Sequence, residues 1–195
     1  INTSSSEHLG LTSQIMYKHR SPKEGKEWTM DLTYNSSRRD SEAEQDLYSY
    51  SPVGNALEGS PRLQTNLGRS RHKTYTFQMD FIDPISNTTK LEYGVKSNIR
   101  PDRTSLDVLI SSPLLGTDVR DTSLSNSYVI KDIINAAYIN WSQKLTDHWS
   151  LMAGFRFEQT LFETRLEGKD QVFRYTYPDG SKDLGRALFP SLYLV

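Results

Sequence analysis

Polar and apolar side chains alternate with a period of two along the segment from Trp149 to Phe162. One side of this segment is apolar except for Gln159, and the other side is mainly polar and includes Arg156 and Glu158. Successive side chains of a β-strand point to opposite faces, so the alternation predicts a strand with one apolar face. The strand exceeds the roughly 5–6 residues usual in soluble domains and reaches the roughly 9–11 residues of a membrane-crossing strand.

Six further segments repeat this alternation. They are 9–20, 28–35, 74–81, 91–98, 133–145 and 188–195, of which the last is apolar on both sides. No segment shows a clear helical period. The pattern therefore predicts an all-β fold, an antiparallel meander of about seven long strands.

The links between these segments alternate in length. Short, turn-rich links are predicted at 21–27, 83–87 and 146–148, and long polar links at 38–71, 99–128 and 165–186. Outer-membrane barrels keep short turns on the periplasmic side and longer loops on the extracellular side. The rhythm therefore predicts that the meander forms part of a transmembrane β-barrel.

The cost of a buried charge decides which face points outward. A basic residue at the bilayer midplane of a barrel costs roughly 2–4 kcal/mol, so the apolar face is predicted to meet lipid. The predicted lipid-facing residues are Trp28, Met30, Leu32, Phe77, Met79, Phe155 and Phe157. The predicted lumen-facing residues are Asp31, Glu92, Lys96, Arg156 and Glu158. Trp28 and Trp149 both follow short turns, where an interfacial aromatic girdle is expected.

Composition narrows the function classes. The 195 residues suffice for one domain. The net charge of −1 does not indicate a nucleic-acid-binding protein, which is typically basic. The chain has no cysteine, which excludes disulfides and thiolate metal sites. No apolar run approaches the ~20 residues of a spanning helix. Because the chain starts at Ile1 and stops inside an apolar run, it is expected to be an excised or processed piece.

The sequence offers little catalytic or metal-binding chemistry. The four histidines are far apart, and the acidic run Asp40–Asp46 lacks the glycine and spacing of an EF-hand loop, so a solvated loop is favoured over calcium binding. No catalytic residue, metal or cofactor is predicted, and the protein is not expected to be an enzyme. Four tyrosines in the predicted long links are candidate ligand-binding residues: Tyr48, Tyr50, Tyr175 and Tyr177.

Four blocks occur in an order and spacing that resemble a known family. They are LEYGVKSN (91–98), NAAYINWSQKL (135–145), MAGFRFEQT (152–160) and LFPSLYL (188–194). They resemble the barrel of TonB-dependent outer-membrane receptors, in the form common in Bacteroidetes. The resemblance implies a mid-barrel fragment over residues 1–195, without plug domain or closing strands, in the bacterial outer membrane.

The resemblance also implies a function and partners. Such receptors capture a nutrient with their outer loops, and a siderophore, glycan or peptide is the expected ligand class. TonB then drives rearrangement of the plug, which the lumen residues would contact. The partners implied are membrane lipid, plug, TonB and the nutrient. The alternative from the residues is a soluble all-β ligand- or carbohydrate-binding module with its apolar faces packed together.

Overall fold

The computed structural model describes residues 2–50, 62–112, 117–169, 171–180 and 183–195. Within them the chain forms one sheet of nine strands and a four-residue 3-10 turn, Leu184–Ala187. The strands are β1 Asn2–Arg20, β2 Glu27–Leu47, β3 Arg62–Pro84, β4 Thr89–Ser112, β5 Thr117–Arg120, β6 Asn126–Lys144, β7 Ser150–Leu166, β8 Gln171–Tyr177 and β9 Leu188–Leu194. In this part of the chain, no helix has the length and apolarity needed to cross a membrane.

The sheet is an antiparallel meander, as predicted. Its order is β1-β2-β3-β4-β6-β7, and β7 then pairs with both β8 and β9. β9 lies beside Leu151–Phe157 of β7, whereas β8 lies beside the segment from Thr160 to Leu166. All seven predicted strands are present. The short strands β5 and β8 were not predicted.

The three long polar links are shorter than predicted, because the strands extend into them. Residues 38–47 and 62–71 continue β2 and β3, and Arg38 pairs directly with Arg71. In the same way β4 continues to Ser112, and β6 already begins at Asn126. The extensions of β2 and β3 are mainly polar on both faces, so they lack the alternation that marks the rest of each strand. The extension of β4 instead contains consecutive apolar residues, Val108, Leu109 and Ile110, which show no alternation either. Residues 51–61 and 113–116 of the predicted links lie outside the described residues.

The short turns lie at one end of the sheet, where they were predicted. They connect β1 to β2, β3 to β4 and β6 to β7. Lys23 and Lys26, in the turn between β1 and β2, bind the carboxylate of Asp83, which lies just before the turn between β3 and β4. The N···O distances are 3.1 and 2.9 Å. Gly25 in the first turn has a φ of 74°, a conformation that glycine adopts without steric cost.

The turn between β5 and β6, at the opposite end, is organised around Asp121. Its Oδ1 accepts hydrogen bonds from the Ser123 amide and hydroxyl and from the Leu124 amide. These bonds, above all that from the Ser123 hydroxyl, lower the pKa of the Asp121 carboxyl.

A lowered folded-state pKa fixes the sign of the pH dependence of this turn. The contribution of the Asp121 carboxylate to the stability of the folded state is present above the ordinary aspartate pKa. It is lost as the pH falls through the lower folded-state pKa. We expect an NMR titration of the Asp121 carboxyl carbon to give a midpoint below that of an unstructured aspartate. The substitution Ser123→Ala should move the midpoint upward, and an unchanged midpoint would contradict the hydrogen bonds described.

The sheet is a single layer with almost no core. The chain exposes 13989 Å², whereas a compact monomer of this mass, 22.4 kDa, exposes roughly 9,400 Å². Among the described residues, the buried apolar side chains are only those of Val108, Pro178 and Ala187. A soluble β-sandwich packs two sheets face to face. The alternative prediction of such a module therefore does not agree with the one-sheet architecture.

One face of the sheet, here called the outward face, carries a continuous apolar surface. Cross-strand pairing places Met30 opposite Met79, Leu32 opposite Phe77, and Ala137 between Val95 and Phe157. All seven predicted lipid-facing residues lie on this face. Near the short turns its aromatic rings form a row in which Trp28 lies 5.1 Å from Tyr17 and 6.2 Å from Phe81, centroid to centroid. Trp149 lies in the turn before β7, half exposed.

Candidate functional site on the inner face

The inner face, opposite the apolar one, carries the predicted lumen residues. Cross-strand pairing places three of them on one row across five strands, in the order Asp31, Gln78, Lys96, Ala136 and Glu158. Neighbouring strands are about 4.8 Å apart, so each charged member is about 10 Å from the next one along the row. Negative, positive and negative groups thus alternate along the row without direct contact.

The adjacent row is held together by a hydrogen bond that spans two strand spacings. The Tyr138 hydroxyl on β6 donates to Asp80 Oδ1 on β3 over 2.7 Å, and the ring passes over Gly94 on the intervening β4. A Cβ on Gly94 would lie only 2.7 Å from Tyr138 Cε1. Glycine is therefore required where the ring crosses. Gln78 Nε2 also donates to Asp80, at 2.8 Å.

Sequence reasoning did not select Asp80, Gly94 or Tyr138 as site residues. A glycine inside a strand often marks the close approach of another group, and that signal was available at Gly94. The residues that approach Gly94 could not be identified from the sequence, because Asp80 and Tyr138 are 58 residues apart and meet only through the register of three strands.

The predicted inner-face residues have local partners. Asp31 accepts hydrogen bonds from Gln14 and from the Thr33 hydroxyl, the latter at 2.7 Å. Arg156 and Glu158, two residues apart on β7, form an ion pair. These contacts fix the carboxylates against the sheet.

Glu92 and Lys96 share the inner face but do not pair with each other. Residues four apart on a strand are separated by about 13 Å, whereas residues two apart are separated by about 7 Å. Accordingly, Glu92 binds Lys90, with an N···O distance of 2.9 Å. Lys96 is exposed and makes no ion pair with another described residue.

The four candidate tyrosines lie towards the end of the sheet opposite the short turns. Tyr48 and Tyr50 follow β2 and are half exposed. The prediction that Tyr175 and Tyr177 lie in a loop is wrong, because both belong to β8 and pair with Phe162 and Thr160 of β7. Their ligand-binding role stays a prediction.

The acidic run Asp40–Asp46 was predicted to be a solvated loop, and this is wrong as well. The run belongs to β2, where it pairs with Leu63–Arg69 of β3. Alternation places Asp40, Glu42, Glu44 and Asp46 on the same face of the strand. No group of three or more histidine or acidic side chains in the described ranges is arranged to hold a metal ion.

The sequence profile of the outer membrane protein beta-barrel family matches residues 19–195. The chain therefore belongs to this family, and its location is the outer membrane. Short turns are periplasmic in such barrels, which places the far ends of β2, β3 and β4 outside the cell.

Among solved structures, the chain is similar to the ferric yersiniabactin uptake receptor FyuA from Yersinia pestis. The identity is 12% and the TM-score 0.44, over 97% of this chain and 25% of the receptor. The chain thus spans about a quarter of the length of that receptor. No curated protein matches the chain.

Proposed function

We propose that this chain forms part of the barrel wall of a TonB-dependent receptor, of the type common in Bacteroidetes, that imports a scarce nutrient. The ligand would be a siderophore, a glycan or a peptide, captured by the extracellular ends of the strands. The chain would contribute wall and binding surface and would carry out no chemical reaction. A plug domain and TonB would be its partners in transport.

The main support for this proposal is the length of the strands beyond the apolar part of the outward face. On β4 the outward face stays mainly apolar up to Pro101, yet the strand continues to Ser112. β2 likewise continues for more than ten residues beyond Tyr34. A barrel that only crosses the membrane needs roughly 9–11 residues per strand. The additional length builds a tall wall beyond the apolar band, which suits capture of a ligand larger than a small solute.

The inner face supports the same proposal. It is polar across β2, β3, β4, β6 and β7, and its charged side chains are exposed or half-buried on a single-layer sheet. Alternating charges such as Asp31, Lys96 and Glu158 form a surface on which a polar domain can dock through complementary ion pairs. A plug would meet this surface inside the barrel.

Uptake by cells that express the full-length protein tests the proposal. We expect one member of a panel of ferric siderophores, oligosaccharides and peptides to accumulate, and an uncoupler of the proton gradient to abolish its accumulation. Uptake that continues unchanged in uncoupled cells would indicate a passive channel. Uptake of no panel member, with the protein folded and abundant in the membrane, would contradict nutrient capture.

The inner-face row offers a sharper prediction. The double variant Lys96→Gln/Glu158→Gln should lower the rate of energised uptake about tenfold or more, since each lost charged contact is worth about 1.5–3 kcal/mol. Ala136→Ser, on the same row between the two, is the control and should leave uptake unchanged. Equal uptake by the double variant and the control would show that the row does not contact the moving domain.

A further inference from the structure

The inner face changes from polar to apolar in the upper part of three adjacent strands, β6, β7 and β8. Alternation places six apolar or aromatic side chains on this face, here called the apolar patch: Tyr128, Ile130, Phe162, Leu166, Phe173 and Tyr175. Strand register joins them into one surface. Tyr128 lies opposite Leu166. Phe162 lies opposite Tyr175.

The patch ends at β6. Its rows continue on β4 as Arg100, Asp102 and Thr104 and on β3 as Ser70 and His72. The apolar side chains are therefore confined to three strands of a wall that is otherwise polar. Contact with lipid does not account for them, because the other face of the sheet carries the apolar band.

The patch is exposed and lies above the level of the membrane. The exposed fractions are 59% for Phe173, 49% for Tyr175 and 38% for Tyr128. Phe162 lies 12 residues beyond Ser150, the first residue of β7, whereas a membrane crossing takes roughly 9–11 residues. A contiguous exposed apolar surface with a polar rim marks a site of interaction. This one is open to a ligand that enters from outside the cell.

The charged side chains beside the patch are paired. On the inner face of β4, β6, β7 and β8 at this level they are Arg100, Asp102 and Asp132. Arg100 forms an ion pair with Asp132. His72 on β3 lies 3.3 Å from Asp102, measured from Nδ1 to Oδ1. Among the described residues, no unpaired cation lies against the apolar side chains.

Three further cations lie outside the patch. Arg39 is on the inner face of β2, three strands and about 14 Å from β6. Lys169 is in the turn between β7 and β8, beyond Leu166. Arg186 binds Asp183, with an N···O distance of 3.6 Å. An anionic iron chelate would therefore find no cation at the exposed rings, and this argues against a ferric siderophore as the ligand of the patch.

The shape of the patch favours side chains over sugar rings. The rings of Phe162 and Phe173 meet edge to face, with centroids 6.3 Å apart and an interplanar angle of 63°. Ile130 and Leu166 add branched side chains beside them. A sugar ring binds by stacking on a flat aromatic face, whereas apolar side chains fill recesses between rings. The patch offers recesses.

The spacing of the patch matches that of an extended peptide. Phe173 and Tyr175 are two residues apart on β8, so they repeat at about 7 Å. Alternate side chains of an extended peptide have the same repeat. Thr164 lies between Ile130 and Phe173 on one row. The hydroxyl groups of Thr164 and Tyr175 supply the few polar groups that orient a ligand in an apolar site.

We propose that the apolar patch binds the side chains of an extended peptide that enters the barrel from outside. Apolar side chains two residues apart in the peptide would lie between the rings of Phe162, Phe173 and Tyr175. The peptide amides would bind the hydroxyl groups of the patch. The inference rests on the proposed function and selects one of its three ligand classes.

Binding of a peptide library to the full-length protein, purified in detergent, tests this proposal. The probe is an equimolar library of random hexapeptides with acetylated and amidated ends, and mass spectrometry identifies the bound fraction. We expect leucine, isoleucine, phenylalanine and tyrosine to be enriched at positions two residues apart. Enrichment of no residue, or of polar residues only, would overturn the proposal.

A pair of variants on β8 locates the binding. Phe173→Ser removes an exposed ring and should weaken binding of the most enriched peptide about tenfold, equivalent to about 1.4 kcal/mol. Val172→Ser is the matched control, because Val172 is the neighbouring residue, is 41% exposed and lies on the outward face. It should leave the affinity unchanged. An equal loss in both variants would contradict binding at the patch.

Two competitors test the other ligand classes. Maltohexaose and a ferric catecholate siderophore should not displace the peptide, and displacement by either would overturn the choice of a peptide. Failure of this inference is distinguishable from failure of the proposed function. If no peptide binds while cells still accumulate another ligand, only the inference fails. If the peptide binds at the patch but energised cells do not accumulate it, the inference stands and nutrient uptake fails.

Discussion

The substitution Ala137→Arg is expected to lower the free energy of unfolding by about 2–4 kcal/mol, whereas Ala136→Arg on the same strand should lower it by less than about 1 kcal/mol. Both changes introduce the same side chain at neighbouring positions of β6. They differ only in the face that receives the charge. The ratio of the two effects therefore measures which side of the sheet meets lipid.

The local surroundings give the physical reason. Ala137 lies opposite Val95 on one side and Phe157 on the other, four residues from Trp141 and thus near the middle of the apolar band. A guanidinium there loses its hydration with no acid in reach. Ala136 instead lies between Lys96 and Glu158 on the inner face, where water and a carboxylate are both available.

Urea titration of folding into lipid vesicles, followed by tryptophan fluorescence and by the gel shift of the folded barrel, measures both free energies. The experiment requires the full-length protein, so that the edges of the sheet are paired. Equal destabilisation by the two variants would show that the outward face does not meet lipid.

The substitution Gly94→Val is the second change with a large expected effect. A Cβ at this position would lie 2.6 Å from Asp80 Oδ1, 2.7 Å from Tyr138 Cε1 and 2.7 Å from the Met79 carbonyl oxygen. The side chains can rotate away, but the backbone oxygen cannot move without breaking the β3–β4 pairing. We expect a loss of about 1–3 kcal/mol from overpacking, together with loss of the hydrogen bond from Tyr138 to Asp80.

Gly168→Val is the matched control, because a Cβ on Gly168 meets no atom within 4 Å. Tyr138→Phe isolates the hydrogen bond and should cost about 0.5–1.5 kcal/mol. Equal stability of the variants at positions 94 and 168, measured by the same urea titration, would contradict the crossing of the ring over Gly94.

The parts of the fold that the sequence predicts are the strand segments with one apolar face and one polar face. Apolar and polar side chains alternate from Trp28 to Tyr34, so that part of β2 can be predicted from the sequence. Residues 38–47 of the same strand face water on both sides. Their pairing with β3 depends on backbone hydrogen bonds, which leave no periodic signal in side-chain polarity.

The sequence likewise predicts only part of the inner-face site. The parity of each strand suffices to place Asp31, Lys96 and Glu158 on one face. The order in which they line up requires the register of each pair of strands. The bond from Tyr138 to Asp80 is less accessible still, since it also requires the rotamer of Tyr138 and the absence of a side chain at Gly94.

The most direct test of the central claim uses single cysteines along β3, since this chain contains no cysteine of its own. Spin labels at positions 75 to 81 of the full-length protein in bilayers would report collisions with oxygen, which dissolves in lipid, and with a water-soluble nickel complex. We predict that the odd positions, among them Phe77 and Met79, collide mainly with oxygen, and that Thr76, Gln78 and Asp80 collide mainly with nickel. Equal access of nickel to odd and even positions would contradict the assignment of the outward face to lipid.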